Sequence, residues 1–215
     1  MRPLALLCAL LFALPVQAGP PLLCHTFDTG GAPSLEWGGT GWNQPLADYQ
    51  LDALVEQTES LLADDTPVIA RMETLRRAAI YASRRGDTAL ALADRLKARI
   101  EAATTAEARA LALFDSGYLL ETLQEVLRIQ HYDMPGIRGA DTAALEALLR
   151  EREDGSRAID QALALQASDP ALRFAAALVA KADRRQTDHA RHAAAARTQA
   201  RSDALLALNL PLLAP

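Results

Sequence analysis

The chain has 215 residues, half of them apolar and only 5% aromatic, with a formal net charge of -5. That acidic balance lacks the electrostatic footprint of a nucleic-acid binder, so nucleic acid is not expected among its partners. Alanine fills roughly a fifth of positions, above ordinary usage, and it combines the best helix propensity with a small side chain; period-two β-branched runs are absent, so the expected class is all-α.

Residues 1–18 read as a targeting leader. Arg2 gives a positive start, Leu4 to Leu14 is an apolar run, and Val16-Gln17-Ala18 offers small residues to a signal peptidase. A membrane-spanning helix needs about 20 apolar residues, more than this run supplies. Leu23 before Cys24 is too bulky for a lipoprotein cleavage box. The expected product is a secreted or periplasmic chain cut after Ala18, with no stable membrane insertion. Loss of the leader removes Cys8 and leaves Cys24 alone, so no internal disulfide is expected.

Residues 19–44 are rich in glycine and proline and carry turn signals at Gly30-Gly31, Gly38-Gly39 and Gly41. The same stretch holds both tryptophans, Trp37 and Trp42, whereas disordered segments are poor in large apolar residues. It is read as an irregular arm laid over a helical body, with the tryptophans as anchors. Residues 45–208 are expected to form that body as a single α-helical domain, followed by an apolar tail at 209–215 that Pro211 keeps from continuing as helix.

The body begins with a helix expected from Pro45 to Ala63, striped by Leu51, Leu54, Val55, Thr58, Leu61 and Leu62. Thr66-Pro67 opens a helical hairpin, with Val68, Met72, Leu75, Ala79 and Ala82 on one face of its first helix. Gly86 is expected to end that helix in the left-handed conformation and Asp87 to cap the next, which carries Leu92, Leu96 and Ile100. Thr104 and Glu107 have capping-box spacing, so a helix starts there and runs to about Arg128. It is apolar on more than one side and is expected to be the most buried, with Leu111, Phe114, Tyr118 and Leu123 in the core beside Leu75 and Leu96. Gly117 in its middle predicts a neighbouring helix passing close by. After a loop at 130–140 come helices expected at 142–153, from Ser156 to about Ala167, from Pro170 to Arg184 behind Ser168-Asp169, and from Asp188 to about Arg201 behind Thr187.

The paired helices with short Gly-Asp or Asp-Gly turns resemble tetratricopeptide repeats. Leu75, Ala78, Ala79 and Ala82 fall at that motif's first-helix packing positions, Gly86-Asp87 at its turn, and Ala91 and Ala98 at its second-helix small positions. Ala162 to Leu165 followed by Asp169-Pro170 is similar to one repeat ending and another starting. Arg95 stands where that family has a large apolar residue, no proline closes the repeat near Ala103, and the turn spacing is not constant. The resemblance implies stacked antiparallel helical hairpins, as a TPR-like α-solenoid or an irregular bundle, and partner binding by analogy. Leu22 to Phe27 also resembles the opening of certain exported bacterial proteins, a likeness that brings no activity with it.

Two places carry candidate chemistry. Cys24 lies beside His25, and an imidazole lowers a nearby thiol's pKa, yet adjacent residues of an extended segment point to opposite sides. His189 and His192 share a helix face with Asp188, but two imidazoles fall short of a zinc site, and a solvated polar face is the preferred reading. Charge is segregated: no Lys or Arg occurs from Gly19 to Ala70, whereas Arg76, Arg77, Arg84 and Arg85 group on the hairpin. A solvated face is the default reading of such a charge run; the alternative is that the acidic arm docks on this basic group, or that the group meets an anionic partner. The sequence therefore reads as an exported, non-enzymatic helical scaffold for a protein or peptide, with no cofactor. Trp37, Trp42, Arg76, Arg77, Arg84 and Arg85 are its candidate partner-binding residues. A small-molecule or metal-binding protein, with enzyme activity a further option, using Cys24/His25 or His189/His192, is the alternative.

Overall fold

The computed structural model describes residues 19–200 and 203–214, and among these all regular structure is helical. The expected leader at residues 1–18 and its cleavage point lie outside the described residues. The helices are α1 (Leu54–Leu61), α2 (Val68–Ala82), α3 (Gly86–Ala102), α4 (Ala106–Ile129) and α5 (Thr142–Glu151), then α6 (Gly155–Leu165), α7 (Pro170–Ala182), α8 (Gln186–Gln199) and α9 (Ala204–Asn209). Short 3-10 turns occupy Leu51–Ala53, Gln130–Tyr132 and Leu210–Leu213. Among the described residues no helix is long and apolar enough to cross a membrane.

Two helices organise the rest. In α2 every residue except Arg77 is buried, because α1, α3, α4, α7 and the arm surround it. Helix α4 packs against α2, α3, α5 and α6, and Phe114, Tyr118 and Leu123 are fully buried in it. Leu75 and Leu96 join them in the core, whereas Leu111 is only partly covered. The closest crossing is between α4 and α6. A methyl added at Gly117 would stand 2.5 Å from the Gly155 carbonyl oxygen, and one at Gly155 would stand 2.5 Å from the Gly117 oxygen. Both positions must therefore lack a side chain, as Gly117 predicted for its own helix.

Charge is buried with partners. Arg71 on α2 is fully enclosed, with Nη1 2.7 Å from Asp115 Oδ2 on α4, and Arg99 of α3 reaches the same oxygen at 3.1 Å. This triad ties three helices together. Desolvation of the buried groups offsets much of the attraction within it.

Several local expectations shift by a few residues for identifiable reasons. Helix α1 starts at Leu54 and not Pro45, since residues 45–50 remain irregular. Pro67 is itself the N-cap of α2 with extended ψ, while Thr66 Oγ1 turns back to donate to the Leu61 carbonyl. Gly86 is the first residue of α3 and does not end α2; its bareness admits α5, because an added methyl would meet Ala144 Cβ at 2.2 Å. Thr105, one residue after the expected Thr104, caps α4 by accepting from Ala108 N at 3.0 Å. Asp154, not Ser156, caps α6, and α8 begins at Gln186 with Arg185, not Thr187, at its N-cap. Asp169 with Pro170 opens α7 as read from the sequence, accepting from Ala171 N and Leu172 N. The expected body ends in α9, which takes in Asn209, and the expected tail forms a 3-10 turn over Leu210–Leu213 that includes Pro211; both pack on α7.

Candidate functional site

The arm docks, and its anchors are aliphatic more than indole. Leu22, Leu23, Phe27 and Leu35 are almost completely buried, and Phe27 meets Phe174 of α7 edge-on at 6.3 Å. Trp37 and Trp42 are half-buried, contrary to the expectation that they hold the arm down. Both still pack against the edge of the core. Trp37 lies edge-on to Tyr81 at 5.5 Å, with the Arg76 and Arg77 guanidiniums over its ring at 5.1 and 5.6 Å.

The polar side of the docking is main-chain recognition. Glu125 Oε2 on α4 accepts from Leu22 N at 2.9 Å and Leu23 N at 2.7 Å. Glu73 Oε2 on α2 accepts from Phe27 N at 3.0 Å. Arg76 Nη1 donates to the Trp42 carbonyl at 3.0 Å, and Arg77 donates to the Leu35 carbonyl. Tyr81 Oη donates to the Glu36 carbonyl at 2.7 Å and accepts from Leu46 N at 3.0 Å. The basic group is thus divided. Arg76 is fully buried under the arm and Arg77 half-buried beside it, and both meet arm carbonyls, not arm carboxylates. Arg85 faces solvent and pairs with Asp52 at 2.6 Å. Arg84 Nε is buried with no partner among the described residues, at a cavity shared with Gly38, Gln44, Pro45 and Pro135.

The buried carboxyls differ in how their charge is supported. Burial pushes Glu73 up, but the Arg76 hydrogen bonds, the Arg76 and Arg77 charges and the Phe27 amide outweigh it, and its net shift is downward. Glu125 has no cation in ion-pair contact among the described residues, and burial raises it to about 8 against the pull of the two arm amides. Glu121, one turn earlier, is raised to about 7 by burial and then by Asp183 and Asp154; its Oε1 accepts from Ser156 N, and its Oε2 is buried without a partner. Glu73, Glu125 and Tyr81 were not singled out in the sequence. The available signal was a pair of glutamates four apart inside a helix apolar on more than one side.

The two candidate chemistries do not assemble. Cys24 is partly buried, and burial, followed by the Glu125 charge, pushes its thiol up to about 12, the reverse of activation. His25 is held below its usual range by burial, then by Lys181 and Arg76. His189 and His192 do not form the expected solvated face, because both rings turn inward between α8 and the alanine-rich α7. His189 Nδ1 lies 2.9 Å from the Ala177 carbonyl oxygen, and His192 sits between Arg173 and Arg191 at 3.3 and 3.2 Å. Burial and then the two arginines push His192 down.

Two cavities bear on binding, one apart from these groups of residues and one against them. One of about 390 Å³ runs along α4 between α3 and α6. Leu113, Ser116 and Leu120 form its floor, Ala93, Ile100 and Ala158 its walls, and Lys97, Arg109, Arg152, Glu101, Glu151 and Glu153 a rim of both signs. The other, of about 690 Å³, opens beside Glu125 and the start of the arm and includes Arg128, Tyr132, Lys181 and Asp183. Compared with known proteins, the chain matches no family model, no curated protein and no solved structure.

Proposed function

We propose that the protein is an exported, non-enzymatic helical scaffold that binds a partner protein or peptide in the groove between α3 and α6. The observation that carries this reading is the groove's composition. Buried Leu113 and Leu120, about 10 Å apart along α4, line the groove together with exposed side chains of both charge signs. An apolar centre with a polar rim is the anatomy of a protein interface. Leu113 and Leu120 lie seven residues apart on one helix face, spaced to receive successive apolar side chains of one peptide. The helical-hairpin architecture and the leader read from residues 1–18 support the scaffold and export parts of the proposal.

A random peptide library selected on the folded protein tests it. Selected peptides are expected to lose at least tenfold in affinity for Ser116→Arg, whose long side chain fills the groove floor. Failure to select any peptide, or peptides that bind Ser116→Arg equally well, overturns the reading.

A further inference from the structure

We propose that the arm is a displaceable ligand: the channel over α2, α4 and α7 that holds residues 22–37 receives an apolar segment of a partner polypeptide that turns at its start as residues 20–24 do, read through its main chain. This surface is separate from the α3–α6 groove.

The channel's polar contacts are indifferent to arm side chains. Glu125 and Glu73 take the amides of Leu22, Leu23 and Phe27, and Arg77 and Tyr81 take the carbonyls of Leu35 and Glu36. The consecutive amides of Leu22 and Leu23 reach one oxygen because residues 20–24 turn, with Cys24 N bonded back to the Pro20 carbonyl at 3.0 Å, and any segment that turns in this way presents the same donors and acceptors. Selectivity is left to the apolar sites filled by Leu22, Leu23, Phe27 and Leu35. A leucine pair followed four residues later by an aromatic ring is therefore the pattern that the channel fits.

The seam is built from groups that disfavour permanent burial. Permanent interfaces are more apolar than exchangeable ones, and closing water away from Glu73, Arg76 and Glu125 carries a desolvation cost that an apolar seam would avoid. Glu125 is 1% exposed, yet it has no cation in contact among the described residues. When the arm lifts, these three side chains regain water, which offsets part of the cost of exposing the sites of Leu22, Leu23, Phe27 and Leu35.

The channel also has an entrance. Glu125 lines the 690 Å³ cavity that begins at Gly19, Pro20 and Pro21, where the arm itself starts. Its Oε2 holds both arm amides, and among the described residues its Oε1 takes no hydrogen bond. An incoming segment can seat in this cavity, bond Oε1 through a main-chain N–H, and then replace Leu22 and Leu23 stepwise.

The test uses the full chain and a fluorescein-labelled peptide copying residues 20–37. Leu23→Asp weakens the arm without touching the channel. The peptide is expected to bind this variant at least tenfold more tightly than the wild type, by anisotropy, with the helical circular dichroism retained. Adding Glu125→Ala to that variant is expected to lower peptide affinity at least tenfold. A folded Leu23→Asp chain that ignores the peptide, or an affinity unchanged by Glu125→Ala, overturns the proposal. Loss of helical signal in Leu23→Asp also overturns it, by making the arm a permanent part of the core. A wild-type dimer in light scattering that becomes monomeric in Leu23→Asp overturns it too, by giving the channel to a second copy.

Discussion

Replacing Glu125 by glutamine isolates the cost of burying one carboxyl. A glutamine keeps an oxygen able to accept from Leu22 N and Leu23 N, and its amide nitrogen can face the open cavity, so the arm contact survives. What changes is titration. The folded chain raises Glu125 from 4.5 to about 8, so it holds this proton more tightly than the unfolded chain does. The stability this group contributes is therefore fully present below about pH 4.5 and is lost as pH rises through about 8. Each pH unit inside that window removes about 1.4 kcal/mol, and the whole window is worth about 5 kcal/mol, a large share of a domain's typical 5–15 kcal/mol. Glu121 acts in the same direction up to about 7, but it is present in both proteins and cancels in the comparison. Urea unfolding followed by circular dichroism is expected to show wild-type stability falling with pH. Between about pH 5.5 and 7.5 the Glu125→Gln variant should fall by about 3 kcal/mol less. Parallel pH profiles for the two proteins would refute the reasoning, because Glu125 would then ionise as it does in water.

Three further outcomes follow from the packing and the backbone. Gly117→Ala is expected to cost about 1–3 kcal/mol by overpacking, since its methyl meets a carbonyl oxygen of α6 at 2.5 Å; an unchanged denaturation midpoint would mean that the two helices separate freely. Arg184 closes α7 with φ of 60°, and Arg185 N bonds back to the Ala180 carbonyl at 2.8 Å. Arg184→Gly should raise stability by about 1 kcal/mol by removing the left-handed penalty, and a loss instead would assign the Arg184 side chain a contact that outweighs it. With its thiol raised to about 12, Cys24 should react with iodoacetamide at pH 8 on the order of a hundredfold more slowly than after unfolding in urea. Equal rates in the two states would show the thiol to be solvated in the folded chain.

The elements legible in the sequence are those specified by neighbouring residues. The Asp169-Pro170 start, the apolar α4 and the close approach at Gly117 needed only local chemistry, and each stands at its expected place. Cap positions moved by one or two residues at α4 and α6, where neighbouring Ser, Thr and Asp residues offer several oxygens, whereas α8 starts behind Arg185 with no side-chain cap bond. Burial decided by distant segments was not legible. Arg76 reads as surface charge on a hairpin until the arm covers it, and His189 and His192 read as a polar face until α7 presents alanines for them to pack on. Docking of the arm was legible from its large apolar residues, but the side chains that hold it were not. Glu73, Tyr81 and Glu125 come from positions 45 to 103 residues away in its hydrogen bonds.

Partner binding in the α3–α6 groove is tested most directly by amide hydrogen exchange of the full chain with and without a library-selected peptide at saturation. Slowed exchange confined to the segments around Ala93–Glu101, Leu113–Leu120 and Glu151–Gln161 is the predicted result, since these residues line the groove. Protection elsewhere, with these three segments exchanging at their unliganded rates, would contradict the account.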